Sequence, residues 1–230
     1  MSLKISGIDF HESMYIITFV YKLVKVILYN GYMSLSSAQT IIRRQGGMLH
    51  TSDAIRLGIA PRTLYALRDS GAIAELARGL YRLADLPPLT QPDLVTVALK
   101  IPKGVIALIS ALAFHDLTTQ IPHEVHVAVP YSAEKPRLTY PPIRVYWISG
   151  KAFAVGVTTH LVDGVNVRVY DSEKTVADCF KFRNKIGLEA AIEALKRCAR
   201  GGDFRLNRLI AYARLNRVER VMRPYLEMLQ

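Results

Sequence analysis

Arg62, Thr63, Tyr65 and Ala66 crowd into five positions just after Pro61, and Arg78 and Arg82 follow on either side of Gly79. A guanidinium presents a planar fork of donors to phosphate oxygens and also stacks on bases, so this set fits recognition of a nucleic-acid duplex. Arg62, Thr63 and Tyr65, with Ala66 beside them, are expected to face base edges in a groove. Arg78 and Arg82 are expected on phosphate or in the narrow minor groove, where the negative potential is strongest. A second arginine group lies near the C-terminus, where residues 180–230 hold nine Arg and three Lys. Arg214, Arg217, Arg220 and Arg223 recur every three residues, which on a helix makes a basic ridge that winds slowly until Pro224 interrupts it. Arg205, Arg208, Arg214, Arg217 and Arg220 are therefore candidates for a second phosphate-contacting surface, evenly weighed against a solvated helical face partly compensated by Glu219.

Other arrangements invite catalysis or metal binding and then fail on spacing. Asp171 and Glu173 form a D-x-E pair that in a nucleotidyltransferase would hold magnesium. Such enzymes also need an upstream Gly-Ser or Gly-Thr turn, and no Gly in this chain precedes Ser or Thr. The pair is better read as a helix start, with Asp171 or Ser172 as the cap and Glu173 at the positive dipole end. His123 and His126, on a strand, would point to opposite faces and could not share an ion. His115, behind an apolar helical run, reads as a polar or capping residue. Gly150-Lys151 lacks the earlier glycine of a P-loop, and neither a G-x-S-x-G nor an acid-x-Lys nuclease signature occurs. No enzymatic activity, metal or cofactor is expected.

The arginines after Pro61 need elements to carry them. Ala38, Ile41 and Ile42 have helical spacing, with Ser36 or Ser37 as cap and Gly46-Gly47 as the stop. Thr51 or Ser52 would cap a second, two-turn helix, with Asp53 in its first turn and Gly58 at its end. Pro61 fits the first position of a third helix that Gly71 closes. On that helix Ala60, Leu64, Leu67 and Gly71 share one face, and Arg62, Tyr65, Ala66 and Asp69 share the other. Residues 72–77 and 80–83 then form a hairpin with Arg78-Gly79 at its tip. Taken singly, each arginine is consistent with mere solvation. Two short helices across a glycine turn, followed by a basic hairpin, make a winged helix-turn-helix, whose second helix enters the major groove.

The remaining sequence sets the frame. The chain has 230 residues, 50% hydrophobic, with a net charge of +11 that calls for an anionic partner. The charge is segregated: residues 33–83 carry seven basic and three acidic groups, 84–179 eight and nine, and 180–230 twelve and five. Three prolines within 87–92 mark a boundary, which gives a winged helix-turn-helix over 33–85 and a mixed α/β domain over 93–230 with a helical, Arg-rich C-terminus, α+β in class. In the second domain, 93–100 and 110–117 read as helices, 124–129, 143–148 and 165–170 as strands, and 173 onward as mostly helical. Residues 1–32 are an unassigned extension. Their apolar run over 14–29 is too short and too interrupted by Lys22 and Lys25 to span a membrane, and Met33 is favoured as the natural start. Two distant cysteines fit a reducing, cytoplasmic setting.

The string from Gly46 to Leu83 resembles the N-terminal domain of AbiEi-type antitoxins, through Gly46-Gly47, Asp53, Gly58-Ile59, Thr63-Leu64-Tyr65, Leu67, Gly71 and Arg78-Gly79-Leu80-Tyr81. Ser110–Thr118, the strand HEVHVAVP and Tyr170–Lys196 look like the longer antitoxin domain of that family. The resemblance implies a transcriptional autorepressor that binds repeats in its own promoter in double-stranded DNA. It also implies an antitoxin of a type IV abortive-infection, phage-defence pair, counteracting a nucleotidyltransferase-like toxin without a stable complex. Two alternatives stay open: an antitoxin acting by direct toxin contact, and a generic winged-helix regulator.

Overall fold

The computed structural model describes residues 33–228, so the apolar run over 14–29 and the proposed start at Met33 lie at or outside the described residues. The chain divides between Leu86 and Pro87 into two compact units.

In the first unit, helix α1 (Leu35–Arg44) is followed by strand β1 (Met48–His50), helices α2 (Thr51–Arg56) and α3 (Pro61–Asp69), and strands β2 (Ile73–Ala77) and β3 (Leu80–Leu83). The cap of α1 is Ser34, whose Oγ accepts from Ser37 N at 3.1 Å, in place of the expected Ser36 or Ser37. His50 occupies the cap position of α2 and makes no side-chain capping hydrogen bond, while Thr51, expected there, is turned to the hairpin. Gly47 (φ +79°) ends the first turn, and a Cβ there would collide with the Leu86 side chain. Gly58 (φ +83°) makes the turn between α2 and α3, and Ile59 N closes it on Ala54 O at 2.9 Å. Both β1 and β2 pair antiparallel with β3, in the order β1-β3-β2. One core joins them, with Ala38, Ile42, Ala54, Ile59, Leu64, Leu67 and Leu83 all at or below 1% exposure.

The second unit begins with α4 (Pro92–Lys100), β4 (Val105–Ile106), α5 (Leu108–Phe114), β5 (Val125–Pro130) and β6 (Ile143–Ile148). It continues through α6 (Gly150–Ala154), β7 (Val157–Val162), β8 (Val165–Tyr170), α7 (Ser172–Lys181), α8 (Arg183–Ile186), α9 (Leu188–Arg200), α10 (Leu206–Leu215) and α11 (Glu219–Glu227). Its mixed sheet runs β6-β5-β4-β8-β7, with β4–β8 and β5–β6 parallel. Helix α7 is the centre of this core: its residues from Glu173 to Phe180 are all buried. Asp171 caps it, Oδ1 accepting from Lys174 N at 2.8 Å, as expected of the D-x-E pair. Inside, the Lys174 ammonium donates to both Asp178 oxygens and lies 4.3 Å from the Tyr170 ring centroid. Asn216 Nδ2 donates to the same carboxylate at 2.7 Å.

Two expectations about this unit change. His123 precedes the strand, which starts at Val125, so the two histidines differ by environment more than by face: His123 is exposed and His126 buried. The arginine row over 214–223 is not one helix. Helix α10 stops at Leu215, and Arg217 takes the left-handed conformation (φ +59°) before α11 starts, while Pro224 lies inside α11.

Candidate nucleic-acid interface

Helix α3 holds its place through Leu64 and Leu67, 1% and 0% exposed, and its outer side is left to solvent. Pro61 sets the first turn, where no N–H partner is lost, and Ala60 is the cap position. Arg62, Tyr65 and Ala66 are exposed on this outer side. Thr63 is not among them. It is 7% exposed, because at 100° per residue it lies about 40° from Leu67 and follows that residue into the core. Thr63 is therefore corrected from groove-facing to packing residue.

The outer face gains a residue the pattern did not mark. Arg68 places its guanidinium 5.2 Å from the centroid of the Tyr65 ring and pairs with Asp69 at 2.9 Å. Tyr65, 48% exposed, thus presents a ring with a cation resting against it, a composite surface for a base or sugar. The missed signal was the i, i+3 spacing of Tyr65 and Arg68. Arg43 and Arg56 pair with Asp85 and Asp53, so part of this unit's positive charge is balanced internally.

The hairpin is braced at its tip. A register shift between Glu75 and Ala77 adds a bulge, and Glu75 Oε1 accepts from Gly79 N at 2.8 Å. On the other side the Gly79 carbonyl accepts from Thr51 N at 3.0 Å and Thr51 Oγ1 at 3.3 Å. Gly79 (φ +69°) suits the turn, and a Cβ there would press on Thr51 Oγ1 at 3.1 Å. Glu75→Ala is expected to lower unfolding free energy by about 0.5–1.5 kcal/mol, the usual range for one hydrogen bond, as read by urea denaturation; an unchanged midpoint would show the brace to be idle. Beneath it, burial and then the Glu75 carboxylate push the Tyr81 phenol above its ordinary range.

Arg78 is exposed at the tip, as its position predicts. Arg82 is half-buried, its Nη1 donating to the Leu86 carbonyl at 3.4 Å, so much of its guanidinium is engaged within its own unit.

The C-terminal arginines are dispersed among roles. Arg208 donates to Asp171 Oδ2 at 2.7 Å and ties α10 to the start of α7. Arg214 pairs with Glu219 at 3.1 Å across the break between α10 and α11. Arg205, Arg217 and Arg220 are exposed, but Arg205 precedes α10, Arg217 lies in the turn after it and Arg220 is on α11. No cluster of three or more His, Cys, Asp or Glu among the described residues is arranged to hold a metal ion. Among the same residues no helix is long and apolar enough to cross a membrane.

Known proteins resemble this chain at two levels. The family described as "Transcriptional regulator, AbiEi antitoxin" matches residues 37–84, in agreement with the likeness seen between Gly46 and Leu83. The second unit falls outside that match. A crystal structure of the RV2827C protein from Mycobacterium tuberculosis superposes with a TM-score of 0.54 at 12% identity, over 83% of this chain and 79% of the other. At that identity the likeness shows a shared fold. No curated protein matches the chain.

Proposed function

We propose that the chain is a DNA-binding autorepressor and antitoxin, which recognises repeats in its own promoter and counteracts a nucleotidyltransferase-like toxin encoded beside it, without a stable complex. One observation supports this reading above the others: helix α3 turns Arg62, Tyr65 and Ala66 outward while Leu64 and Leu67 anchor it, next to a hairpin that carries exposed Arg78. A helix held by its inner side, with cations on its outer side at the N-terminal end, is the arrangement that enters a major groove. The family match over 37–84 points the same way.

The test is electrophoretic retardation of the gene's upstream DNA at two salt concentrations. Arg62→Ala should cost about 1–3 kcal/mol on the promoter and little on unrelated duplex, erasing the preference between them. Arg217→Ala should weaken both duplexes equally, as loss of a phosphate contact does. Unchanged promoter preference in the Arg62 variant would remove this helix from base readout. Co-purification of the neighbouring toxin in a stable complex, with no promoter retardation, would overturn the reading in favour of direct contact.

A further inference from the structure

The second unit contains a cleft of about 440 Å³ into which His115, His160, Phe204, Arg205 and Arg208 open. The two imidazole centroids lie 6.2 Å apart. Their hydrogen bonds fix their proton positions. His115 Nε2 is 2.7 Å from the Tyr170 carbonyl oxygen, and since a carbonyl only accepts, Nε2 carries the proton. Burial holds this ring below the usual histidine range, so at neutral pH it is uncharged and Nδ1 keeps its lone pair. On β7, Thr158 Oγ1 donates to the Val169 carbonyl at 3.0 Å, which leaves that oxygen to accept from His160 Nε2 at 2.9 Å. With Nε2 as the donor nitrogen, the other ring nitrogen, Nδ1, is the one left to accept. Neither Nδ1 has a protein hydrogen-bond partner among the described residues, and both rings line the cleft.

The charged groups of the cleft divide unequally. Asp171 is engaged through Oδ1 by Lys174 N and through Oδ2 by Arg208 and the Tyr212 hydroxyl, and Glu173 Oε1 accepts from Arg205 N at 3.0 Å. Asp203 stands exposed at the rim. The Arg205 guanidinium pairs with no acid among the described residues. Arg208 uses Nη2 on Asp171 and Nε on Tyr212, so Nη1 remains for a ligand. Beside three carboxylates, two of them already engaged, the cleft thus offers two guanidinium donors, two imidazole acceptors and the Phe204 ring, in a volume typical of small-molecule sites.

We infer that this cleft binds a nucleoside monophosphate, with the phosphate on Arg205 and Arg208, the amino or hydroxyl donors on the two Nδ1 atoms, and the base against Phe204. A bare anion would leave both acceptors unused, and an uncharged ligand would leave Arg205 unanswered. The site is independent of the winged helix and of its reading as a DNA binder.

Titration calorimetry of the full chain with AMP, GMP, CMP and UMP separately, alongside the matching nucleosides and inorganic phosphate, tests it. At least one nucleotide should bind one-to-one, and Arg205→Gln should weaken it about tenfold or more while leaving the nucleoside's affinity unchanged. His160→Phe should weaken nucleotide and nucleoside alike. In the unaltered protein, nucleotide should shift the ¹⁵N resonances of the two Nδ1 atoms, a readout that needs no variant to fold. Absence of heat from all four nucleotides at millimolar concentration, inorganic phosphate binding as tightly as nucleotide, or an unaffected Arg205→Gln variant would each overturn the inference.

Discussion

Asp178→Ala is expected to destabilise the second unit by about 3–5 kcal/mol, the range for removing one partner of a buried ion pair. Lys174 is 0% exposed, and among the described residues its ion-pair partner is the Asp178 carboxylate, itself 0% exposed. Without Asp178 the ammonium is left with the Tyr170 ring and the more distant Asp171 charge, a fraction of what it lost, and Asn216 Nδ2 loses its acceptor as well. Burial pushes the Asp178 carboxyl up and the Lys174 ammonium down, each held back by the other's charge. Taking two charges out of water commonly costs about as much as their mutual attraction returns, so the pair as a whole is expected to add little stability. The combined Lys174→Met, Asp178→Leu change should accordingly be far milder than the single one. Urea unfolding of the three proteins decides this: a single variant as stable as the parent, or a double variant worse than the single, would contradict it.

Acid should destabilise the second unit through His126 as pH falls below 6.5. This ring is 6% exposed, and burial, assisted by the Arg144 charge, lowers its pKa from 6.5 to about 4. Glu124 does not rescue the imidazolium, because its Oε1 is 3.8 Å from Nε2 and pairs with Arg144 at 2.6 Å. The folded-state pKa lies below the unfolded one, so the stabilisation is complete above pH 6.5 and is lost as pH falls from 6.5 to about 4. A change from 6.5 to about 4 corresponds to about 3 kcal/mol. His126→Phe, which stacks on Tyr146 without a proton to gain, should flatten the urea midpoint over that window. Parallel acid losses in both proteins would assign the effect elsewhere.

Element ends were legible where glycine and proline punctuate them. Pro61 and Gly71 bracket α3 because a ring fixes φ at its start and a left-handed residue is needed past its end. Strand β1 escaped notice, since three residues cannot show a period of two, and its partner β3 lies thirty residues on. Strand β7, VTTHLV, has polar residues on a half-exposed edge and so lacks apolar alternation. At the candidate site, the exposure of Arg62, Tyr65, Ala66 and Arg78 follows from helical and hairpin geometry. Thr63 was not, because a face drawn around Arg62 reaches too close to Leu67. The C-terminal ridge failed for a different reason: a spacing of three implies one continuous helix only if nothing turns the chain, and Asn216-Arg217 does. The cleft, built from residues spanning 115 to 208, depends on tertiary contacts that no local pattern records.

The double acceptance by the Gly79 carbonyl, with Glu75 holding the amide of the same residue, means that the cationic fingertip at Arg78 hangs from a hinge already locked. Encounter with an anionic groove then needs little freezing of loose chain, so association should be fast and carry a small entropic penalty. Affinity at this contact would follow from rigidity inherited from folding, and loosening the hinge would slow capture without altering a single atom that meets the ligand.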